Sequence, residues 1–401
     1  MDARRLSEWL IGEALSGSGD FALFHGYCER LVAAGVPLFR GFMASDVLHP
    51  TVESRAVRWQ RGTDTVSRTA QRRPGATDDA VGWLTSPFHA MLQDGRNEMR
   101  VDLTDAALRE RFPICGEVHA EGGVDYAAFM VPFGGILRFG TVEEMFASFA
   151  TDRPDGFRDQ ELAMIRDTIR TFGLGLHTQR MAIAGRTLLG TYLGADAADR
   201  VLRGNIERGR AEPVQAAIWS SDLTDFTRIS DTAAPEDLLA LLNAYAEIAV
   251  GLIEEEGGTV LKFVGDGLLA IFRDDDVAAA CARALAAARR LPGAVAALNA
   301  RRQAAGQPTT SATLALHVGE LLYGNFGGPR RLDFTVLGPA VNEASRINAL
   351  SRTLDQRLIV SAAFAQTLPA SDRGGLVSLG RYALRGVARP AELFTLDPDA
   401  S

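Results

Sequence analysis

The sequence predicts an α+β protein in two folded parts joined by a helix, and three observations predict it. Up to residue 160, strand-like runs alternate with helical ones; a helix of regular apolar spacing follows; from residue 211 onward, apolar strands end in carboxylates, one of them on a glycine-flanked turn. With 401 residues, 47% of them hydrophobic, the chain has enough apolar surface for two or three packed domains. The expected boundaries are 1–160, 161–210 and 211–401.

In chain order, Met1-Asp2-Ala3-Arg4-Arg5 leads into a mixed helix around Leu6 to Leu15, and helical periodicity returns near residues 20 to 35. Strand-like runs are expected at Ala80 to Trp83, Tyr126 to Pro132 and Gly135 to Gly140, together an α/β layer. Leu162, Ile165, Ile169, Phe172 and Leu176 then recur at alternating intervals of three and four, the spacing of two helices packed together. Ile183 keeps the seven-residue beat and Gly190 breaks it. Packing of this face onto its own domain fits the pattern as well, and Gly173, Gly175 and Gly185 weaken a coiled coil. Tyr192-Leu193-Gly194 through Val201-Leu202-Arg203-Gly204 and the polar stretch Asn205 to Glu212 follow as a connecting segment.

Several function classes are disfavoured by composition. A formal net charge of -8 argues against general nucleic-acid binding, which carries a basic footprint. Cys28, Cys115 and Cys281 lack paired metal spacing and suggest a reducing compartment, each a buried small residue. His25, His49, His89 and His119 form no ligand pattern either. The longest apolar stretch, Leu238 through Ile253, is interrupted by Asn243 and Glu247 and reads as an amphipathic core helix, not a membrane span. No cationic start with an apolar signal core opens the chain, so a cytoplasmic location is expected.

The chemistry gathers in four segments. Ala216 through Thr227 ends an apolar strand with Asp222, and Leu261 through Phe272 sets Asp266 on a glycine-flanked turn between two apolar strands. Mg2+ is bound through one or two carboxylates plus phosphate oxygens, and two metals can clamp the attacking and leaving oxygens of an in-line displacement. Leu337 through Arg346 places Asn342 and Arg346 four apart, on one face of a helix opened by Gly338-Pro339-Ala340. Leu384-Arg385-Gly386 adds a further cation.

In this order the four segments resemble the class III nucleotidyl cyclase catalytic domain over roughly residues 211 to 396. The resemblance implies a ferredoxin-like βαββαβ core working as a head-to-tail pair, with site residues divided across the interface of a homodimer. It implies that Asp222 and Asp266, with the carbonyl of Leu223, hold two Mg2+ or Mn2+ ions, and that Phe226 and Thr227 line the substrate. Asn342 would orient the ribose, Arg346 would stabilise charge growing on the phosphoryl oxygens, and Arg385 would stand where the family commonly has a lysine on the terminal phosphates. Lys262 and Thr335 fall at the two base-contacting positions. An ammonium only donates, which suits the N1 acceptor of adenine and not the protonated N1 of guanine; guanylate cyclases typically carry Glu there. A solvated strand lysine would look the same in sequence. The expectation is an adenylate cyclase making 3′,5′-cyclic AMP and pyrophosphate from ATP, with a guanylate cyclase or a feeble nucleotide-binding module as alternatives.

Two positions depart from the family. Asp225 falls where many relatives have glycine, and Glu320 where some carry a phosphate-binding Arg. Ahead of this domain, Met145 through Phe157 followed by a long helix resembles the closing strand and final helix of GAF domains. That resemblance implies a regulatory domain with a small-molecule pocket, whose ligand no residue identifies.

Overall fold

Helix α1 (Ala3–Ser16) begins where the Asp2 carboxylate accepts from the Arg5 amide and ends at Gly17, whose left-handed backbone closes the last turn. It opens a computed structural model that describes residues 1–47, 52–63, 68–72, 79–134, 144–387 and 389–397. The chain divides into two units, Met1–Leu188 and Leu189–Ser401.

In the first unit α1 is followed by α2 (Asp20–Ala33), β1 (Arg40–Asp46), β2 (Val52–Gln60), β3 (Arg68–Arg72), α3 (Asp79–Leu84), α4 (Pro87–Asp94), β4 (Glu98–Asp102), α5 (Ala106–Arg111), α6 (Pro113–Ala120), β5 (Asp125–Pro132), β6 (Glu144–Thr151) and α7 (Asp159–Leu193). The strands form an antiparallel sheet in the order β3-β2-β1-β6-β5-β4. Alternation sorts their side chains onto two faces. Met43, Phe129, Ala147 and Phe149 meet α1, α2 and α7 through Leu10, Phe24, Ile165 and Phe172. Phe42, Tyr126, Ala128 and Phe146 meet α4 and α6 through Phe88, Met91, Cys115 and Val118.

One expectation changes here, and one open alternative is decided. Ala80 to Trp83 lies in helix α3, not a strand; a four-residue apolar run has no period of its own, and its neighbourhood decides it. The apolar repeat from Leu162 to Leu176 is buried in the first unit's own core, which is the packing alternative to a helix pair. The run at 135–140 and His49 lie outside the described residues. All three cysteines are free and buried.

The second unit continues with α8 (Ala195–Leu202), β7 (Ala211–Leu223), α9 (Phe226–Thr232), α10 (Pro235–Glu255), β8 (Thr259–Val264), β9 (Gly267–Phe272), α11 (Val277–Ala304), β10 (Ala312–Gly328), β11 (Arg331–Leu337), α12 (Pro339–Ala349), α13 (Ser351–Leu354), β12 (Leu358–Ser361), α14 (Ala362–Thr367), β13 (Leu376–Tyr382) and β14 (Ala391–Leu396). The sheet runs β13-β14-β12-β10-β7-β9-β8, with β11 paired to the far end of β10. Within it β7, α10, β8, β9, α11 and β10 follow the expected βαββαβ order. One face is closed by α10, α11 and α14, burying Trp219, Phe272, Leu316 and Phe364. On the other, α8 and α12 cover Ile218, Ile271, Leu321 and Tyr323. The stretch Leu238 to Ile253 is the body of α10, and no helix among the described residues is long and apolar enough to cross a membrane.

Candidate active site

The expected residues fall into three clusters, at strand ends of the second sheet and on α12. The first is the carboxylate pair. Asp222 is the penultimate residue of β7, and Asp266 occupies the turn between β8 and β9. Gly265 makes that turn with a φ of 62°, the left-handed region that suits glycine. Gly267 has a different reason: a Cβ there would stand 2.1 Å from the Ser221 carbonyl oxygen, so only glycine lets the hairpin press against β7.

This approach brings both carboxylates onto one donor. The Leu223 amide donates to Asp222 Oδ1 at 3.1 Å and to Asp266 Oδ2 at 3.2 Å. Burial, and then the neighbouring Asp266, push the Asp222 carboxyl up to about 6. Beneath the pair, the Tyr245 hydroxyl donates to Ser221 Oγ at 3.0 Å; burial, with both carboxylates adding to it, raises that phenol to about 12. Two half-buried acids that repel each other to this degree suit a bound cation, which would relieve both. Among the described residues no third His, Cys, Asp or Glu joins them. The set therefore fits Mg2+ or Mn2+ completed by other oxygens, water and phosphate included.

Next to the pair, Asp225 adopts φ 57° at the start of α9. This is a conformation that glycine adopts freely, and Asp is among the few other residues that tolerate it. Its carboxylate is exposed, 3.9 Å from Arg228. Phe226 packs partly into the core, while Thr227 is exposed.

The second cluster is Lys262, Asp333 and Thr335. Lys262 Nζ on β8 lies 3.5 Å from Asp333 Oδ2 on β11. Two residues on, Thr335 is 3% exposed and its hydroxyl has no partner among the described residues. Asp333 escaped the sequence reading. The signal was its alternation with Thr335, which puts both on one strand face once Arg331 to Leu337 is taken as a strand.

The third cluster is Asn342, Arg346 and Arg385. Asn342 is exposed on the first turns of α12, and the Arg346 guanidinium lies over Gly386, where a Cβ would be 3.5 Å from its terminal nitrogens. Glycine at 386, with φ 73°, lets the loop bearing the exposed Arg385 come this close. His317 also escaped the sequence reading. From β10 it reaches Ser361 Oγ at 2.8 Å through Nδ1 and Glu343 at 3.5 Å through Nε2, bracing α12 beside Asn342. Burial holds this imidazole below its usual range, with Glu343 opposing that. The Glu320 side chain is exposed. Among the described residues, no hydrogen bond or ion pair joins one cluster to another within a single chain.

Residues 210–397 match the family of adenylate and guanylate cyclase catalytic domains, so this stretch is a class III cyclase domain, an enzyme domain of the cyclase kind. An uncharacterized protein of Mycobacterium tuberculosis (strain CDC 1551 / Oshkosh) is 30% identical over 216 residues, covering 52% of this chain and 36% of that protein. Adenylate cyclase 1 of Rhizobium meliloti (strain 1021) is 28% identical over 184 residues, covering 42% of this chain and 27% of that one. The chain thus spans little more than a third of the first relative and about a quarter of the second. Among solved structures, the adenylyl cyclase CyaB from P. aeruginosa is similar with a TM-score of 0.42 at 24% identity, over 47% of this chain and 95% of that one. The guanylyl cyclase Cya2 is similar with a TM-score of 0.41 at 24% identity, over 46% and 93%.

Proposed function

We propose that the cyclase domain converts ATP to 3′,5′-cyclic AMP and pyrophosphate as a homodimer, under the control of the N-terminal unit. The observation that carries this reading is the convergence of Asp222 and Asp266 on the Leu223 amide. When bound there, two divalent ions, Mg2+ or Mn2+, would neutralise the triphosphate and polarise the reacting oxygens. In the reaction the ribose 3′-oxygen bonds to the α-phosphorus, the bond to the β-phosphate bridge breaks, and the hydroxyl proton passes to solvent. Asn342 orients the ribose, Arg346 meets the charge that grows on the α-phosphoryl oxygens, and Arg385 holds the departing phosphates; such work is chiefly alignment and electrostatics. Phe226 and Thr227 would flank the phosphates.

Two features support the dimer. Among the described residues no hydrogen bond or ion pair joins the clusters within one chain, and the strands that carry Lys262 and Thr335, with β10 beside them, expose apolar side chains, Phe263, Val264, Leu322, Phe326 and Leu337. Exposed apolar side chains of this size suit a partner surface, and a second copy would bring the carboxylates of one protomer to the arginines of the other.

ATP is favoured by Lys262, whose ammonium donates to an unprotonated ring nitrogen, and the Rhizobium meliloti relative bears the name adenylate cyclase. One observation favours GTP instead: Asp333, beside Lys262, could accept from the N1 and N2 hydrogens of guanine. Product analysis with Mn2+ and either ATP or GTP decides between them. Lys262→Glu is expected to shift the ratio toward GTP, and an unchanged ratio would discredit the base-reading role. Cyclic product from neither nucleotide, despite tight binding, would mean a binding module.

For the N-terminal unit, the antiparallel sheet with helices on both faces supports a GAF-like sensor. Coupling through residues 189–204 is supported by Gly194, which a Cβ would bring to 3.0 Å from the Val260 carbonyl oxygen on β8, two residues before Lys262.

A further inference from the structure

Past Leu176 the inward face of α7 changes character. Leu162 to Leu176 fill the core under the sheet, but the inward positions three and four residues further on are Gln179 and Arg180. Gln179 spends its amide on the Ser18 carbonyl. Arg180 is 3% exposed, and a guanidinium stays protonated in proteins. Asp20, in the first turn of α2, places Oδ2 3.0 Å from one guanidinium nitrogen, while its other oxygen accepts from the Phe21 amide. Even so, none of the three Arg180 nitrogens makes a hydrogen bond among the described residues.

A second orphan sits on the facing sheet. Ser45 of β1 is 2% exposed, and its hydroxyl has no partner among the described residues. By alternation it shares the face of Met43, turned toward α7. Directly opposite Ser45 on β2 is Arg55, near enough that its charge works against that of Arg180. Among the described residues Arg180 thus has one ion-pair partner, Asp20, and the Ser45 hydroxyl has none. Native proteins pair such groups, because a buried donor without an acceptor, and still more an uncompensated buried charge, is costly. What this constellation lacks is an acceptor with negative charge.

We propose that the N-terminal unit binds a small oxyanion, the carboxylate or phosphate group of a small molecule, between α7 and the β1–β2 pair, with Arg180 as anchor and Ser45 and Arg55 as flanking donors. The guanidinium fork matches both kinds of anion. The position is on the face of the sheet covered by α1, α2 and α7, away from the face of Phe42, Phe88 and Phe146. None of its residues takes part in the proposed cyclase chemistry, so the two readings stand or fall separately.

The test is hydrogen exchange on the full chain, titrated with inorganic phosphate or with acetate against sodium chloride at constant ionic strength. Saturable protection is expected in peptides covering 18–33 and 174–188. Arg180→Met should move the midpoint to a concentration higher by roughly tenfold or more, as expected for losing a charged donor. Ser45→Ala should move it by a smaller factor, and it serves alone should Arg180→Met fail to fold. Protection by only one of the anions supports the proposal and names the group. No saturable protection by either anion, or protection that both variants leave unchanged, overturns it: water would then satisfy these donors.

Discussion

Asp222 with Asp266 in the second unit, and Arg55 with Arg180 in the first, are each a pair of like charges, and they differ in how the backbone holds them. The acids are pressed together by a hairpin that only glycine at 267 permits, and they share one amide donor. The arginines come from a helix and a strand with no special backbone at either. Burial holds Arg180 below the usual arginine range, Asp20 opposes that, and Arg55 adds to it. A like-charge pair enforced by backbone geometry leaves a mark in sequence, whereas one assembled by side chains on ordinary elements does not.

The comparison breaks most visibly if the acids prove dispensable. Asp266→Asn is expected to cut turnover by on the order of two to three orders of magnitude, the scale of removing one charge-stabilising group from a phosphoryl-transfer site. The measurement is cyclic product formation with saturating Mn2+, on protein whose circular dichroism matches the wild type. A loss smaller than tenfold would mean that the acids hold a turn and no metal.

Next in size is the backbone itself. Gly267→Ala drives a methyl group into the Ser221 carbonyl, and the overpacking should lower stability by about 1–3 kcal/mol. Gly251→Ala, in α10 where a Cβ meets nothing within 4 Å, is the control and should hold or raise the melting temperature. Equal behaviour of the two variants would remove the claim that the hairpin's approach is forced.

The acids' mutual repulsion gives a third, smaller effect. Asp222 moves from 3.8 unfolded to about 6 folded. With the folded value raised, the native state holds the proton more tightly, so this stabilising contribution is complete below pH 3.8 and is lost as pH rises through about 6. In chelator, the melting temperature of the wild type should therefore fall relative to Asp222→Asn between about pH 4 and pH 7, and added Mn2+ at pH 7 should close the gap. Parallel melting curves across that range would contradict the crowding of the two carboxylates.

What could be read ahead of the structure follows the same divide. Asp266 was legible because Gly265 and Gly267 flank it between apolar strands, Asp222 because it ends another apolar strand, and Asn342 with Arg346 because Gly338-Pro339 marks a helix start. Asp333 was not, since its neighbour Lys262 is brought to it by pairing across three strands. His317 was hidden for the same reason, its partners Ser361 and Glu343 being distant in sequence. Arg180 reads as one more helical surface arginine until the fold buries it. Ala80 to Trp83 failed because four apolar residues cannot declare a period. The central helix offered two packings that one chain of residues could not separate, and the first unit's core took Leu162 through Leu176.

The smallest effect concerns Asp225, which carries a third negative charge beside the pair in a conformation that costs an L-residue energy. At φ 57°, glycine relieves the Cβ clash but gives up chain entropy in the unfolded state, so Asp225→Gly should stabilise by only about 0.5 kcal/mol, or roughly 1–2 °C in melting temperature. The exposed contact to Arg228 at 3.9 Å contributes little that could be lost. Activity distinguishes two roles for the charge. If the carboxylate merely repels the triphosphate, the variant's KM for ATP falls at low ionic strength and the gain fades with added salt. If Asp225 instead assists the metal pair, the apparent Mn2+ requirement rises while the melting temperature still climbs, and the acidic cluster would then be a set of three.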